Sequence, residues 1–163
     1  MTEKPFNLSA FLPYRLAVLS ERISRRIAAD YERTHGLTVA EWRVLVHLLR
    51  SGEVSVREIQ TCVNLDKPRV SRAVARLEKA GLVRKVPGAA DARLVAISLT
   101  GKGHGALADI LPAAESVEAR LLQSLSADEY ENFCAVMEKL HGVLDADPQA
   151  RPRSPMDTEG LGE

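Results

Sequence analysis

Apolar positions set the frame of this chain. Leu12, Leu16, Leu19, Ile23 and Ile27 recur at spacings of four and three, which predicts an amphipathic helix from about Leu12 to His35, closed by Gly36. Trp42, Leu45 and Leu49 mark the inner face of a second helix from Thr38 to Leu49. After a break at Ser51-Gly52 the pattern gives a short helix from Ser55 to Cys62, then a longer one from Asp66 to Ala80 with Gly81 behind it. The period then drops to two. Leu82 to Val86 and Leu94 to Leu99 read as strands joined by a tip at Pro87 to Ala92, with Val95, Ile97 and Leu99 facing one way and Ala96 and Ser98 the other. Helical spacing returns from Gly101 to Leu125, through Leu107, Leu111, Ala114, Val117 and Leu121, and again from Ala127 to Leu144.

Three helix starts are marked independently. Thr38 with Glu41, Ser55 with Glu58 and Ser126 with Glu129 each fit a capping box, in which two residues satisfy each other's orphan backbone N–H. The order of elements, helices then a hairpin then helices, predicts a mainly α fold. Residues 36–100 would form a winged helix-turn-helix lobe with a two-stranded wing. Residues 10–35 and 101–145 would be dimerisation helices, because their apolar stripes are too long for one small domain to cover. A single domain is expected over 1–145, and a disordered tail over 146–163, which is rich in Pro, Asp and Gly.

The helix from Asp66 to Ala80 carries the candidate chemistry. At about 100° per residue, Arg69, Arg72 and Arg76 fall within an arc of roughly 60°, and Val70, Val74 and Leu77 within a separate arc of about the same width. One face is suited to burial and a neighbouring face to a polyanion, the arrangement of a recognition helix in a DNA major groove. A short basic hairpin would stand beside it as the wing.

Charge distribution strengthens that reading. The formal net charge is zero, but Ser55 to Gly103 holds ten Lys and Arg against four acids, a net of +6, which leaves −6 on the remainder. A basic block in an otherwise acidic chain is the electrostatic footprint of a nucleic-acid-binding region. With 163 residues, 45% of them hydrophobic and 27% charged, the chain is long enough for one well-packed domain. No apolar run approaches the roughly 20 residues of a membrane span, and MTEKPFNLSAF does not read as a signal peptide, so a cytoplasmic protein with no membrane partner is expected.

Three stretches, GLTVAEWRVLVHL (Gly36 to Leu48), LDKPRVSRAVARLEKAGLVRK (Leu65 to Lys85) and DARLVAISLTGKG (Asp91 to Gly103), resemble the MarR family of transcription regulators. The resemblance covers about residues 10 to 145. It implies a homodimeric winged-helix repressor of a pseudo-palindromic double-stranded DNA operator, released by a small ligand. It places Lys67, Arg69, Ser71, Arg72 and Arg76 at the groove, Arg93 in an adjacent minor groove, and Asp91 as the brace of the wing tip. The tip itself, PGAADAR, has alanine at 89, 90 and 92, where family members commonly carry more charge, which implies a weaker wing contribution and a smaller salt dependence. FLPYRLAVLSERISRRIA is similar to a subgroup that controls catabolism of aromatic acids. That likeness implies an aromatic carboxylate or its CoA thioester as effector, with Arg15 or Arg22 on the carboxylate or phosphate and Trp42 beside the ring; the alternative is that Trp42 is core and Arg15 a surface or dimer ion-pair residue.

Other chemistries weigh less. Redox sensing, with Cys62 or Cys134 as the thiol, competes with the reading that both are buried and inert. His35, His47, His104 and His141 lack the close spacing of a zinc site, so no metal and no cofactor is expected. No phosphate loop, nucleophile elbow or catalytic carboxylate pair is present, and no enzymatic activity is expected. A winged-helix module that meets an acidic protein partner is the remaining alternative.

Overall fold

The computed structural model describes residues 5–63, 65–88, 95–154 and 157. After a 3-10 turn at Leu8–Ala10 the elements run α1 (Leu12–His35), α2 (Val39–Ser51), β1 (Val54–Ser55), α3 (Val56–Cys62), α4 (Lys67–Lys79), β2 (Val83–Pro87), β3 (Val95–Leu99), α5 (Gly101–Leu122) and α6 (Ala127–Asp145). All three capping boxes are formed. Gly36 closes α1 in the left-handed region at φ 64°, which an L side chain adopts only at a cost. α5 continues through Pro112 without a break.

The sheet has three strands rather than the two expected for the wing. Val54 and Ser55 pair antiparallel with Ile97 and Ala96, so β3 lies between β1 and β2. A two-residue strand has no period to detect, which is why the sequence did not reveal it. The central place of β3 also explains its burial. Ile97 and Leu99 are buried as expected, but so is Ala96, whose small side is flanked by Ser55 and Val86, whereas Val95 at the tip end is exposed. Leu49, expected inward, is exposed in the last turn of α2.

The core is shared by α1, α2, α3, α4, α5 and the sheet, with Tyr31, Leu45, Leu48, Ile59, Leu77, Ile97 and Leu107 as its largest fully buried side chains. Tyr31 stacks on half-buried Trp42 with centroids 5.2 Å apart. Burial pushes the Tyr31 pKa up to about 12, so its hydroxyl keeps its proton.

Residues 146–154, part of the stretch expected to be a disordered tail, make contacts with α3 and α6. The Arg153 guanidinium donates to both carboxylate oxygens of Glu138 on α6, at 2.7 and 2.9 Å, and Arg151 donates to the Thr61 carbonyl of α3 at 3.0 Å. Ser154 is buried. Two arginines supply the anchoring that a composition poor in apolar residues did not promise.

Gly103 sits where α5 begins. A Cβ there would fall inside the contact distance of the Leu82 carbonyl oxygen and press on Leu99, whereas one at Gly105 would meet nothing within 4 Å. Gly103→Ala is therefore expected to lower the melting temperature by on the order of 5 °C, from an overpacking cost of about 1–3 kcal/mol. Gly105→Ala should raise it slightly, by removing backbone entropy from the unfolded chain. Equal shifts in a thermal melt of the two variants would contradict the packing described.

His47 gives the fold an acid-labile side. It is 3% exposed, and burial lowers its pKa below 6.5, with Glu58 opposing and Arg50 adding. The unfolded chain takes up the proton near 6.5 and the folded chain resists, so this contribution is present above that pH and lost as pH falls below it. The backbone N–H of Ser55 holds Glu58 below 4.5, so its share is lost only at lower pH. The melting temperature is expected to fall from about pH 7 to about pH 5, and His47→Gln to flatten that limb. Identical slopes in the two proteins would rule out His47 as the cause.

Candidate nucleic-acid interface

α4 is built to show one face and hide the other. Asp66 caps it by accepting the Arg69 N–H at 2.8 Å, and Pro68 occupies the first turn, where a missing N–H costs nothing. Val70, Ala73, Val74 and Leu77 are buried, chiefly toward α2. Lys67, Arg69, Ser71, Arg72 and Arg76 are all exposed. The structure thus brings together five of the seven residues expected at a groove. Asp91 and Arg93 lie outside the described residues.

The far end of α4 is clamped. Leu82 donates its N–H to the Leu77 carbonyl at 2.9 Å, and Gly81 turns the chain at φ 74°. The carbonyls just beyond the helix are then met from the start of α5: its cap residue Thr100 donates from Oγ1 to the Gly81 oxygen at 2.6 Å, and Lys102 from Nζ to the Ala80 oxygen at 2.8 Å. Thr100 also caps α5 by accepting the Gly103 N–H at 3.0 Å. The run from Leu99 to Gly103 therefore has a physical content. It joins α4 to α5 through a cap and a close backbone approach.

Arg76 differs from its neighbours. Its Nε lies 2.9 Å from Glu41 Oε1, and the Glu41 side chain is only 4% exposed. The other Glu41 oxygen accepts the Thr38 N–H at 2.7 Å in the α2 capping box. One carboxylate therefore starts α2 and holds the rear of α4. The sequence revealed the first role, because it is local. It gave no signal of the second, which joins positions far apart in the chain. Lys85 of β2 and Glu78 of α4 form a further pair at 2.9 Å, tying the hairpin to the helix.

The proposed effector residues are not gathered. Arg15 and Arg22 are exposed on α1, and Trp42 is engaged with Tyr31. Arg15 precedes Tyr31 by sixteen residues, roughly 24 Å along the helix axis, and Arg22 precedes it by nine, roughly 14 Å. Cys62 and Cys134, expected to be buried, are half-buried. Among the described residues no group of three His, Cys, Asp or Glu is placed to hold a metal, and no helix is long and apolar enough to cross a membrane.

α6 is the least covered of the six α-helices. None of its residues is buried. Tyr130, Phe133, Met137, Leu140 and Leu144 follow each other at spacings of three and four and are 37–52% exposed. An open apolar cleft of about 860 Å³ lies between Leu19, Ile23 and Ile27 of α1, Leu111 and Leu121 of α5, and Tyr130 and Phe133 of α6.

Comparison with known proteins places these features. The sequence profile of the MarR family matches residues 35–94. The transcriptional regulator HosA of Escherichia coli O127:H6 is 38% identical over 74 residues; the match covers 45% of this chain and 55% of HosA, so the chain spans about half the length of that relative. The crystal structure of the MarR family transcriptional regulator SPO1453 from Silicibacter pomeroyi DSS-3 superposes with a TM-score of 0.72 at 31% identity, over 86% of this chain and 99% of that one. A mutant of Escherichia coli MarR, solved in complex with operator DNA, shares the fold at a TM-score of 0.72 and 21% identity, over 85% of this chain and 99% of that one.

Proposed function

The chain belongs to the MarR family, and on that premise we propose that it is a homodimeric repressor that binds a pseudo-palindromic operator through α4. The carrying observation is the split of α4 into a buried apolar face and an exposed face of Lys67, Arg69, Ser71, Arg72 and Arg76. Arg69 and Arg72 read base edges, since a guanidinium bridges O6 and N7 of guanine. Lys67 and Ser71 contact base or phosphate. Arg76 is held back by Glu41 and positions the helix while it neutralises a phosphate. Arg93, braced by Asp91, enters the neighbouring minor groove. The relatives matched are named as transcriptional regulators, and the structure of one of them with operator DNA supports the same use of this fold.

The partner is a second copy. Apolar side chains stay exposed along α1, α5 and α6 around an open apolar cleft, and the alternation of three and four on α6 is that of a helix packing against helices. A two-fold dimer sets two α4 helices about one helical turn of DNA apart. Residues 1–145 make up this unit. A gel shift with DNA from upstream of its own gene tests the reading, and no shift at low ionic strength would end it. Release is assigned to an aromatic carboxylate or its CoA thioester, on the likeness of the first helix. Calorimetry with a panel of such compounds should show heat and operator release; neither would remove that assignment.

A further inference from the structure

Behind the exposed face of α4 lies a cleft of about 560 Å³, walled by α1, the start of α2 and α4. Five arginines line it: Arg25, Arg43, Arg69, Arg72 and Arg76. Glu41 holds Arg76 at 2.9 Å, and Glu32 lies 3.4 Å from Arg25. Arg43, Arg69 and Arg72 then face one further carboxylate, that of Glu21. Arg43 is half-buried, its stem fixed by a 3.5 Å contact from the guanidinium to the Val63 carbonyl. The first turn of α2 adds to the positive field, because the helix supplies no acceptor for the N–H groups of Val39 and Ala40, which line the same cleft. Arg15, Arg22 and Trp42 take no part in it.

We propose that this cleft binds a compact polyanion, a small metabolite bearing phosphate or several carboxylates, and that such a ligand competes directly with DNA. The volume is in the range of a small-molecule site. Arg43, Arg69 and Arg72 line it from two helices, and Arg25, in an exposed 3.4 Å pair with Glu32, adds a fourth guanidinium from α1, which suits two or three negative charges better than one. Arg69 and Arg72 are shared between the cleft and the outer face, so the two anions cannot hold them together. Release then needs no conformational change: the apparent dissociation constant for DNA rises with ligand concentration by mass action. The inference rests on the reading of α4 as the DNA-binding helix, but Arg43 and Arg25 stand apart from that face and separate the two.

Inorganic pyrophosphate serves as the probe. Anisotropy of a labelled operator duplex is followed with the full-length protein, in pyrophosphate or in sodium chloride of equal ionic strength, because DNA binding is itself salt-dependent. Saturating pyrophosphate should weaken duplex binding by about tenfold or more beyond the salt control. Arg43→Gln and Arg25→Gln should hold the duplex within about threefold of the parent and lose that extra sensitivity. Arg25 is 62% exposed, so its variant keeps the test decisive if Arg43→Gln disturbs the fold, which a thermal melt reports. Calorimetric titration of pyrophosphate without DNA should give heat with the parent and none with Arg43→Gln. Pyrophosphate acting only as salt, or acting equally on the variants, overturns the proposal. So does a loss of duplex affinity in Arg25→Gln or Arg43→Gln as large as that of Arg72→Ala, which would assign these arginines to the DNA backbone. If the parent ignores duplex DNA altogether, the reading of α4 falls, and the calorimetry still decides whether the cleft holds an anion.

Discussion

Arg72→Ala is expected to lower operator affinity by roughly 1–3 kcal/mol in each half-site, the range of one bidentate guanine contact. A two-fold dimer loses that contact twice, so the observed dissociation constant should rise by about 30-fold or more. The preference for the operator over a duplex altered at the contacted base should shrink with it. Arg72 is exposed, and the inner side of the same helix is filled by Val70, Ala73, Val74 and Leu77, so the melting temperature should hold. Arg76→Ala is a poorer probe, because it also strips the partner from Glu41 and mixes a packing loss with a binding loss. A folded Arg72→Ala protein that binds and discriminates like the parent would take α4 out of the groove.

Leu140→Glu should split the dimer. Leu140 lies in the middle of the α6 seam and is 38% exposed, so the substitution leaves the chain's own core intact while placing a charge in the surface proposed to meet the second copy. Light scattering should report half the parent's mass. Operator affinity should fall by at least about 100-fold, since the second half-site is no longer bound from a tethered position. A parent that is monomeric at working concentration, or a variant that stays dimeric with full affinity, would refute the arrangement.

What the sequence disclosed was local. Each capping box joins residues three apart, and the two faces of α4 follow from a single helical period, so both could be read without any tertiary knowledge. β1 escaped because two residues carry no pattern and owe their conformation to pairing with Ile97 and Ala96. Leu49 and Val95 were misplaced because hydrophobicity marks what can be buried, while the neighbours decide what is covered. The contacts of Arg153 with Glu138, of Arg151 with Thr61 and of Lys102 with Ala80 are all between segments distant in sequence. The separation along α1 of Arg15 from Tyr31, on which Trp42 stacks, was hidden as well, since likeness carries no distance.

The double duty of Glu41 divides the reading helix into two evolutionary regimes. The side chains at 69 and 72 are exposed and can change without disturbing the scaffold, whereas an exchange at 76 must be matched by one at 41, which also starts another helix. On the proposed use of α4, new target sequences would arise at the front of the helix while its rear keeps the docking angle.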